Sequence, residues 1–341
     1  MKAVKSATRI VAFGGGHGLS ATLRALSICK GSHPENQIEI TAVVGVSDDG
    51  GSSGRLRNEF PIVPPGDLRM ALAALSPEVD SELGYEVEPD PISSWRQLLQ
   101  YRFPNTSESG LAGHVTGNIL LTALWNSGYS PVQGLQILGL LLGIDGTVLP
   151  CSEEPIEIEA EIGWNSNSAD SFVETVTGQV SIAGTSGTVN SVAIIPPNPR
   201  ECPEAIEAVR AADVLIFGPG SWFTSVVPHL LVPSIFRAVN DSAAMKVLLI
   251  NLGPQLGETT GFEAKDYLVS WADLFPEIEL DLVIADPKSI SNGSEFESTA
   301  RGLGISVLWK EVAGSGETHD PRLLARAFDT VMTMKRGTTW Q

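Results

Sequence analysis

Three runs of glycine and hydroxyl residues, each following a short apolar segment, hold the side chains best suited to chemistry. The first, Gly14-Gly15-Gly16-His17-Gly18-Leu19-Ser20, follows residues 9–13 and opens a helical pattern. Glycines at such a turn let the backbone approach an anion, and a helix start presents unpaired N–H groups at its positive end. Residues 16–21 also fit the alanine-ended dinucleotide fingerprint. The second run, Asp48-Asp49-Gly50-Gly51-Ser52-Ser53-Gly54-Arg55, follows residues 38–46. Its adjacent carboxylates are candidate ligands for a phosphate-bound Mg²⁺, or acceptors for ribose and substrate hydroxyls. Arg55 is a candidate bidentate phosphate contact. The third run, Gly218-Pro219-Gly220-Ser221-Trp222-Phe223-Thr224-Ser225, repeats the first pattern after residues 213–217. It reads as a second anion cradle, or as the other wall of the same cleft, with a ligand-free helix cap as the alternative.

Two further stretches support these runs. Pro64-Pro65-Gly66-Asp67-Leu68-Arg69 opens a helix in which Asp67 reads first as an N-cap and second as a ligand contact. His114 and Asn118 flank another helix start, so each is either a cleft residue or a buried, capping one. His33, His229 and His319 have no companions that indicate a metal or a catalytic pair. No lysine follows the glycine loop in the Walker A position, and neither a Gly-x-Ser-x-Gly elbow nor a His-Glu-x-x-His helix occurs. The only candidates for catalysis are Asp48 and Asp49. The chemistry implied is phosphate holding.

These runs need elements to position them. Short, continuously apolar segments at 9–13, 38–46, 213–217, 246–252 and 280–285 suit strands of a parallel sheet covered on both faces. Helical patterns at 19–28, 67–75, 118–126, 132–142, 203–211, 263–274 and 322–334 alternate with them. The alternation predicts a single α/β domain over residues 1–341, a three-layer, doubly wound, Rossmann-like and mostly parallel sheet. In such sheets ligands lie beyond the carboxyl ends of the strands, where all three runs emerge. Residues 147–191 break the rhythm with polar–apolar alternation, as in Ile156-Glu157-Ile158-Glu159-Ala160-Glu161-Ile162, and predict a small antiparallel β excursion open to solvent on one face. Residues 78–91 are acidic and turn-rich and read as an inserted loop.

Composition bounds the partners. The chain has 341 residues, 43% hydrophobic, enough for a large core. Its formal net charge of −18 repels nucleic acid and anionic membrane, while leaving room for a small anion held by main-chain amides. Three scattered cysteines match neither a disulfide framework nor a zinc spacing, which fits a reducing compartment. With no signal-peptide core and no apolar stretch of membrane length, the expectation is a cytoplasmic protein, with a homo-oligomer left open.

The glycine runs, with Pro64 to Arg69 and Gly257-Glu258-Thr259-Thr260-Gly261-Phe262, resemble in type and order the bacterial gluconeogenesis factor (YvcK-like) family, part of the CofD or 2-phospho-L-lactate transferase superfamily. The likeness spans residues 9–262 and weakens beyond. The resemblance implies a Rossmann-like fold whose cleft lies at these loops, and a ligand such as UDP-N-acetylglucosamine, in support of cell shape and wall synthesis without a settled reaction. In the transferase relatives it implies a guanine nucleotide and Mg²⁺. Residues 14–18 and 218–221 would then hold phosphates, and Asp48 and Asp49 would face a metal or acceptor. The chain departs from the usual family pattern at His17, Met70, Phe223, Thr260 and Thr318. The last removes an arginine, and with it a bidentate contact to a diphosphate.

Three readings follow. One is a nonenzymatic regulator that senses a UDP-sugar. The second is a Mg²⁺-dependent transferase of a phosphorus-containing group, and the third an NAD-dependent oxidoreductase resting on residues 16–21. The long glycine–serine run after Asp49 is more than a ribose contact needs, which sets the third below the others.

Overall fold

The computed structural model describes residues 7–32, 37–77, 91–106, 109–164, 172–255, 257–316 and 318–336. The chain begins with β1 (Thr8–Gly14), α1 (Gly16–Ser32), β2 (Ile38–Val44), α2 (Gly51–Glu59), α3 (Pro65–Leu75) and α4 (Pro91–Gln100). It continues through α5 (Thr116–Asn126), α6 (Pro131–Leu142), β3 (Thr147–Pro150), β4 (Glu157–Trp164), β5 (Phe172–Thr177), α7 (Gln179–Ala183) and β6 (Thr188–Ile195). Then come α8 (Pro203–Ala211), β7 (Val214–Phe217), a π-helical turn (Trp222–Val226), α9 (Val227–Leu231), α10 (Pro233–Asp241) and β8 (Met245–Leu249). The last elements are α11 (Ala264–Leu274), β9 (Leu282–Ala285), α12 (Gly293–Gly302), β10 (Ser306–Trp309) and α13 (Pro321–Arg336).

Seven strands form one parallel sheet in the order β10-β9-β8-β7-β1-β2-β3, with helices on both faces. Strands covered on both sides must be apolar throughout, which is why residues 10–14 of β1 and all of β7 and β9 are buried. From β1 the order runs outward through β2 and β3, then restarts on the other flank at β7. The switch point of the sheet is therefore the crevice between β1 and β7, and the first and third glycine runs leave from those two strands. Phe13 and Phe217 stack across this pair at 4.8 Å and floor the crevice.

The α/β expectation holds, with shifted details. The antiparallel sheet, β5-β4-β6, begins at Glu157 rather than at 147, because β3 joins the parallel sheet as its edge. Ile158, Ala160 and Ile162 face the core from β4, while Glu157 and Glu161 are exposed. The acidic insertion, residues 78–91, lies outside the described residues up to 90, and Pro91 starts α4. The glycine–serine run after Asp49, which carries no helical pattern, opens helix α2; Gly51 takes the left-handed φ of +46° that starts it, and Ser52, Ser53 and Gly54 are packed against neighbours. No single helix among the described residues is long and apolar enough to cross a membrane.

Candidate functional site

The loops that leave β1 and β2 close on one another through glycines and one half-buried carboxylate. Gly14 and Gly16 have φ of +153° and +57°, and α1 starts at Gly16. A Cβ on Gly15 would fall 2.2 Å from Asp67 Oδ2, so only glycine lets that carboxylate in. Asp67 is not the N-cap of α3, which is Pro64; it lies in the first turn of the helix and accepts the Gly16 N–H. A Cβ on Gly18 would fall 2.1 Å from the Pro219 carbonyl oxygen, so the first and third glycine runs touch main chain to main chain. The three runs converge on the sheet's switch point.

Convergence brings together a pair of carboxylates other than the adjacent one expected. A Cβ on Gly66 would meet Asp48 Oδ2 at 2.6 Å and Ser53 Oγ at 2.3 Å, placing both beside the start of α3. Burial, reinforced by the charge of Asp48, pushes the Asp67 carboxyl up to about 7. Asp49 is used elsewhere: its Oδ1 accepts the Val180 N–H at 3.0 Å at the start of α7. The paired-carboxylate expectation for Asp48 and Asp49 thus passes to Asp48 and Asp67. Asp48 Oδ1 also accepts the Gly50 N–H, closing the turn into α2.

Arg69, His114 and Asn118 form a buried polar chain with Ser52. Ser52 Oγ lies 3.1 Å from His114 Nδ1 and accepts from Asn118 Nδ2 at 3.1 Å and from the Val115 N–H at 3.3 Å. Asn118 Oδ1 accepts from Arg69 Nε at 2.8 Å. His114 and Asn118 therefore hold Arg69 in place. Burial, followed by the nearby charge of Arg102, lowers the Arg69 guanidinium to about 10. Arg69 is only 7% exposed, and its Nη1 has no hydrogen-bond partner among the described residues. A buried cationic N–H without an acceptor is costly and calls for one from a ligand. Arg55, expected on a phosphate, donates to the Ala112 carbonyl and stands exposed.

Arg69 lines a cavity of about 460 Å³ between the first turns of α1 and α3. Arg24, Arg102, His17, His319, Ser20 and Gln100 share its wall, and no carboxylate does among the described residues. In a chain with 40 Asp and Glu against 22 Lys and Arg, that is a selected field for an anion. The N–H groups of His17 and Gly18, in the first turn of α1, have no acceptor among the described residues. His319 has its Nε2 at 3.2 Å from the Ile250 carbonyl, and burial lowers its ring to about 4, so it is neutral. A larger hollow of about 910 Å³ lies near the start of β2, but Glu39, Asp145 and Asp320 stand among its cations.

The third glycine run takes the second of its readings, the other wall of the cleft. Gly218, Pro219, Gly220 and Ser221 lead into the π-helical turn, but the amides that would cradle an anion already have acceptors. Gly220 N–H donates to Asn251 Oδ1 at 3.1 Å and Trp222 N–H to Gln255 Oε1 at 3.1 Å. Phe223 and Thr224 N–H both donate to Glu258 Oε2, at 2.7 and 3.1 Å, and the Thr224 hydroxyl donates to Glu258 Oε1. Glu258 is 4% exposed, and burial raises its carboxyl above the ordinary value. The chain's own carboxylate fills this helix start, so residues 218–221 and Thr224 form a wall of the crevice and not a second cradle.

Arg24, Gln100, Arg102 and His319 are site residues that the sequence alone does not reveal. They come from α1, the end of α4, the turn after it and the segment before α13, and nothing in their local spacing links them. His319 has no companion in the sequence to suggest a role. The one signal open to a sequence reader is negative: apart from Arg96, Arg102 is the only charge between residues 92 and 107.

Known proteins resemble this chain over most of its length. Residues 10–301 match the family model described as 2-phospho-L-lactate transferase CofD. A Mycobacterium tuberculosis protein provisionally named gluconeogenesis factor is 41% identical over 332 residues, covering 96% of this chain and 91% of that protein. A gluconeogenesis factor of Halalkalibacterium halodurans is 41% identical over 264 residues, 77% of this chain and 73% of that protein. The crystal structure of a UPF0052 family member from Bacillus halodurans superposes with a TM-score of 0.78 at 33% identity, covering 95% of this chain and 99% of that one.

Proposed function

Because the chain belongs to the CofD-like family, and within it is akin to the gluconeogenesis factors, we propose that it binds a nucleotide-sugar of the UDP-N-acetylglucosamine kind and acts as a regulator. In this reading the ligand's diphosphate enters the cavity beside α1, and the protein couples carbon supply to envelope synthesis and cell shape. The observation that carries it is Arg69. Its guanidinium is buried, lacks a partner at Nη1 and lines a cavity with two further arginines and no carboxylate among the described residues. A diphosphate supplies paired oxygens for such forks, and the open amides of His17 and Gly18 add donors at the positive end of α1. The uracil and sugar would extend toward the loops that follow β7 and β8. Calorimetric titration with UDP-N-acetylglucosamine is the test, and absence of heat at millimolar ligand overturns the reading. The cellular role is tested by restoring cell shape to a deletion strain grown on a gluconeogenic carbon source.

A second reading, a Mg²⁺-dependent transferase, draws on Asp48 and Asp67. Two half-buried carboxylates set beside the start of α3, one held protonated to about pH 7, fit a hard divalent cation that would neutralise both. Bound there, the metal would supply charge stabilisation at a phosphoryl oxygen. If Mg²⁺ leaves the thermal stability of the wild-type chain unchanged at alkaline pH, this reading fails. NADH fluorescence unaltered by the protein disposes of the oxidoreductase.

A further inference from the structure

A sheet edge offers a row of unpaired N–H and C=O groups, which proteins guard by shortness, lysine, proline, bulges or a covering element. In the parallel sheet the edge strands β3 and β10 have four residues each, and β3 lies against α6 and α8. In the antiparallel sheet β6 packs against α9 and runs into Pro196 and Pro197, which have no N–H to offer. Strand β5 has none of these guards. Among the described residues it pairs with β4 alone, and its six residues include neither lysine nor proline. All but Val176 are exposed, Phe172 by 56% and Val173 by 60%.

Charge identifies what the open edge accepts. Strands β4, β5 and β6 hold Glu157, Glu159, Glu161 and Glu174 and no basic residue. The register sets Thr175 opposite Glu161 and Thr177 opposite Glu159, and cross-strand partners share a face. Two short threonines are thus all that separates the β4 glutamates from the edge. Arg57 pairs with Glu157, whereas Glu159 and Glu161 have no ion pair among the described residues. Strands lie about 4.8 Å apart, so a lysine or arginine on an added strand, about 10 Å from β4, reaches those carboxylates across the threonines. The other face of β5 carries Phe172, stacked on Trp164 at 6.3 Å, with Glu174 and Val176. A second copy of the chain would set four more glutamates against these four, so the fitting occupant is of opposite charge. We propose that β5 is a docking edge for an extended segment of a partner protein, basic at alternate residues and apolar between them, which joins the sheet as a fourth strand.

No residue of β4, β5 or β6 lines the cavity of arginines, so failure of the ligand reading leaves this docking edge untouched. The probe is a peptide of about eight residues that alternates lysine and valine, long enough for one strand. It is titrated by fluorescence anisotropy against the full chain at about 0.15 M salt, where attraction to the net charge of −18 is largely screened. It is expected to bind about tenfold more tightly than a peptide of the same composition with its lysines in one block, because only alternation puts every charge on one face. Thr175→Lys guards the edge with an exposed side chain and should weaken binding about tenfold. Ser298→Lys, an equal change of charge exposed on α12, should leave it unchanged. Joint replacement Glu159→Gln and Glu161→Gln should weaken binding and flatten its dependence on salt. Hydrogen exchange gives a readout that unspecific attraction does not move: with the peptide bound, amides of residues 172–177 that face away from β4 should exchange more slowly. Equal binding of the two peptides, a Thr175→Lys chain that binds as Ser298→Lys does, or unaltered exchange across 172–177 in the wild type overturns the proposal.

Discussion

The two helix starts that flank the switch point make an instructive pair. Both follow a buried strand, both are glycine-rich, and both carry hydroxyl residues within the first five positions. At the start of α1 the N–H groups of His17 and Gly18 have no acceptor among the described residues, and His17 lines the cavity that holds the arginines. At the π-helical turn, Asn251, Gln255 and Glu258 have taken the equivalent positions. A glycine loop before a helix is thus a place where an anion fits, and the fold decides whether that anion is a ligand or a side chain of its own. The motif sets the geometry. The surrounding side chains set the use.

The largest expected effect breaks the contact that ties the pair together. A Cβ on Gly18 would meet the main-chain oxygen of Pro219 at 2.1 Å, and main chain cannot swing away as a side chain does. Gly18→Ala should therefore cost about 3 kcal/mol or more in urea melts and weaken ligand binding with it. Gly31, in the last turn of α1, has nothing within 4 Å of its Cβ position, so Gly31→Ala should be neutral or mildly stabilising. Equal losses in both variants would refute the close approach of the two runs.

Arg69 and Glu258 separate the open start from the filled one. Arg69→Lys keeps the charge and loses the fork, so UDP-sugar affinity should fall about thirtyfold, roughly 2 kcal/mol, with the melting curve moved little. Glu258→Ala should do the reverse. It leaves the buried Phe223 and Thr224 N–H groups and the Thr224 hydroxyl without an acceptor and should cost about 2 kcal/mol of stability. It also empties the second helix start. Inorganic phosphate at millimolar concentration should then raise the melting temperature of Glu258→Ala more than that of the wild type. A phosphate response identical in both would mean that the filled start was never an anion site in waiting.

The parallel sheet and its loops are legible in the sequence because buried strands carry unbroken apolar runs and glycine turns follow them directly. The helical pattern at 203–211 coincides with α8, and the apolar runs at 9–13 and 213–217 agree with β1 and β7 to within a residue or two at each end. Short or unpatterned pieces are the ones that stay hidden. Strand β3 has only four residues, Thr147 to Pro150, and abuts polar alternation, so by pattern it merges with the β excursion. Helix α2, Gly-Ser-Ser-Gly-Arg-Leu-Arg-Asn-Glu, has low intrinsic propensity and forms because Gly54 passes close to the Asp49 carbonyl and its two serines are buried by tertiary contacts. The site divides in the same way. Each glycine run can be read from its own residues, whereas the partnerships Asp48 with Asp67, Arg69 with Arg102 and Glu258 with Phe223 join segments apart in the chain. The last of these turns an expected cradle into a wall, and no local window of sequence contains that contact.

The smallest expected effect concerns the carboxylate beneath the open start. In the unfolded chain Asp67 ionises near the ordinary 3.8, while in the fold burial and Asp48 hold its proton to about 7. Between those values the native state carries the extra proton, so its stability falls as pH rises from about 4 to about 7. Asparagine imitates the neutral acid and keeps an oxygen for the Gly16 N–H. Asp67→Asn should therefore match the wild type near pH 4 and exceed it at about pH 8, by roughly 1 kcal/mol because water screens much of the shift at this half-buried group, measured by urea melts at the two pH values. A cation between Asp48 and Asp67 would reverse that ranking, because Mg²⁺ at about pH 8 would stabilise the wild type and leave the asparagine variant where it was. If Asp67→Asn is the less stable form at alkaline pH without any metal, the Asp67 carboxylate is a net contributor to the fold. The strain would then lie elsewhere than between these two acids.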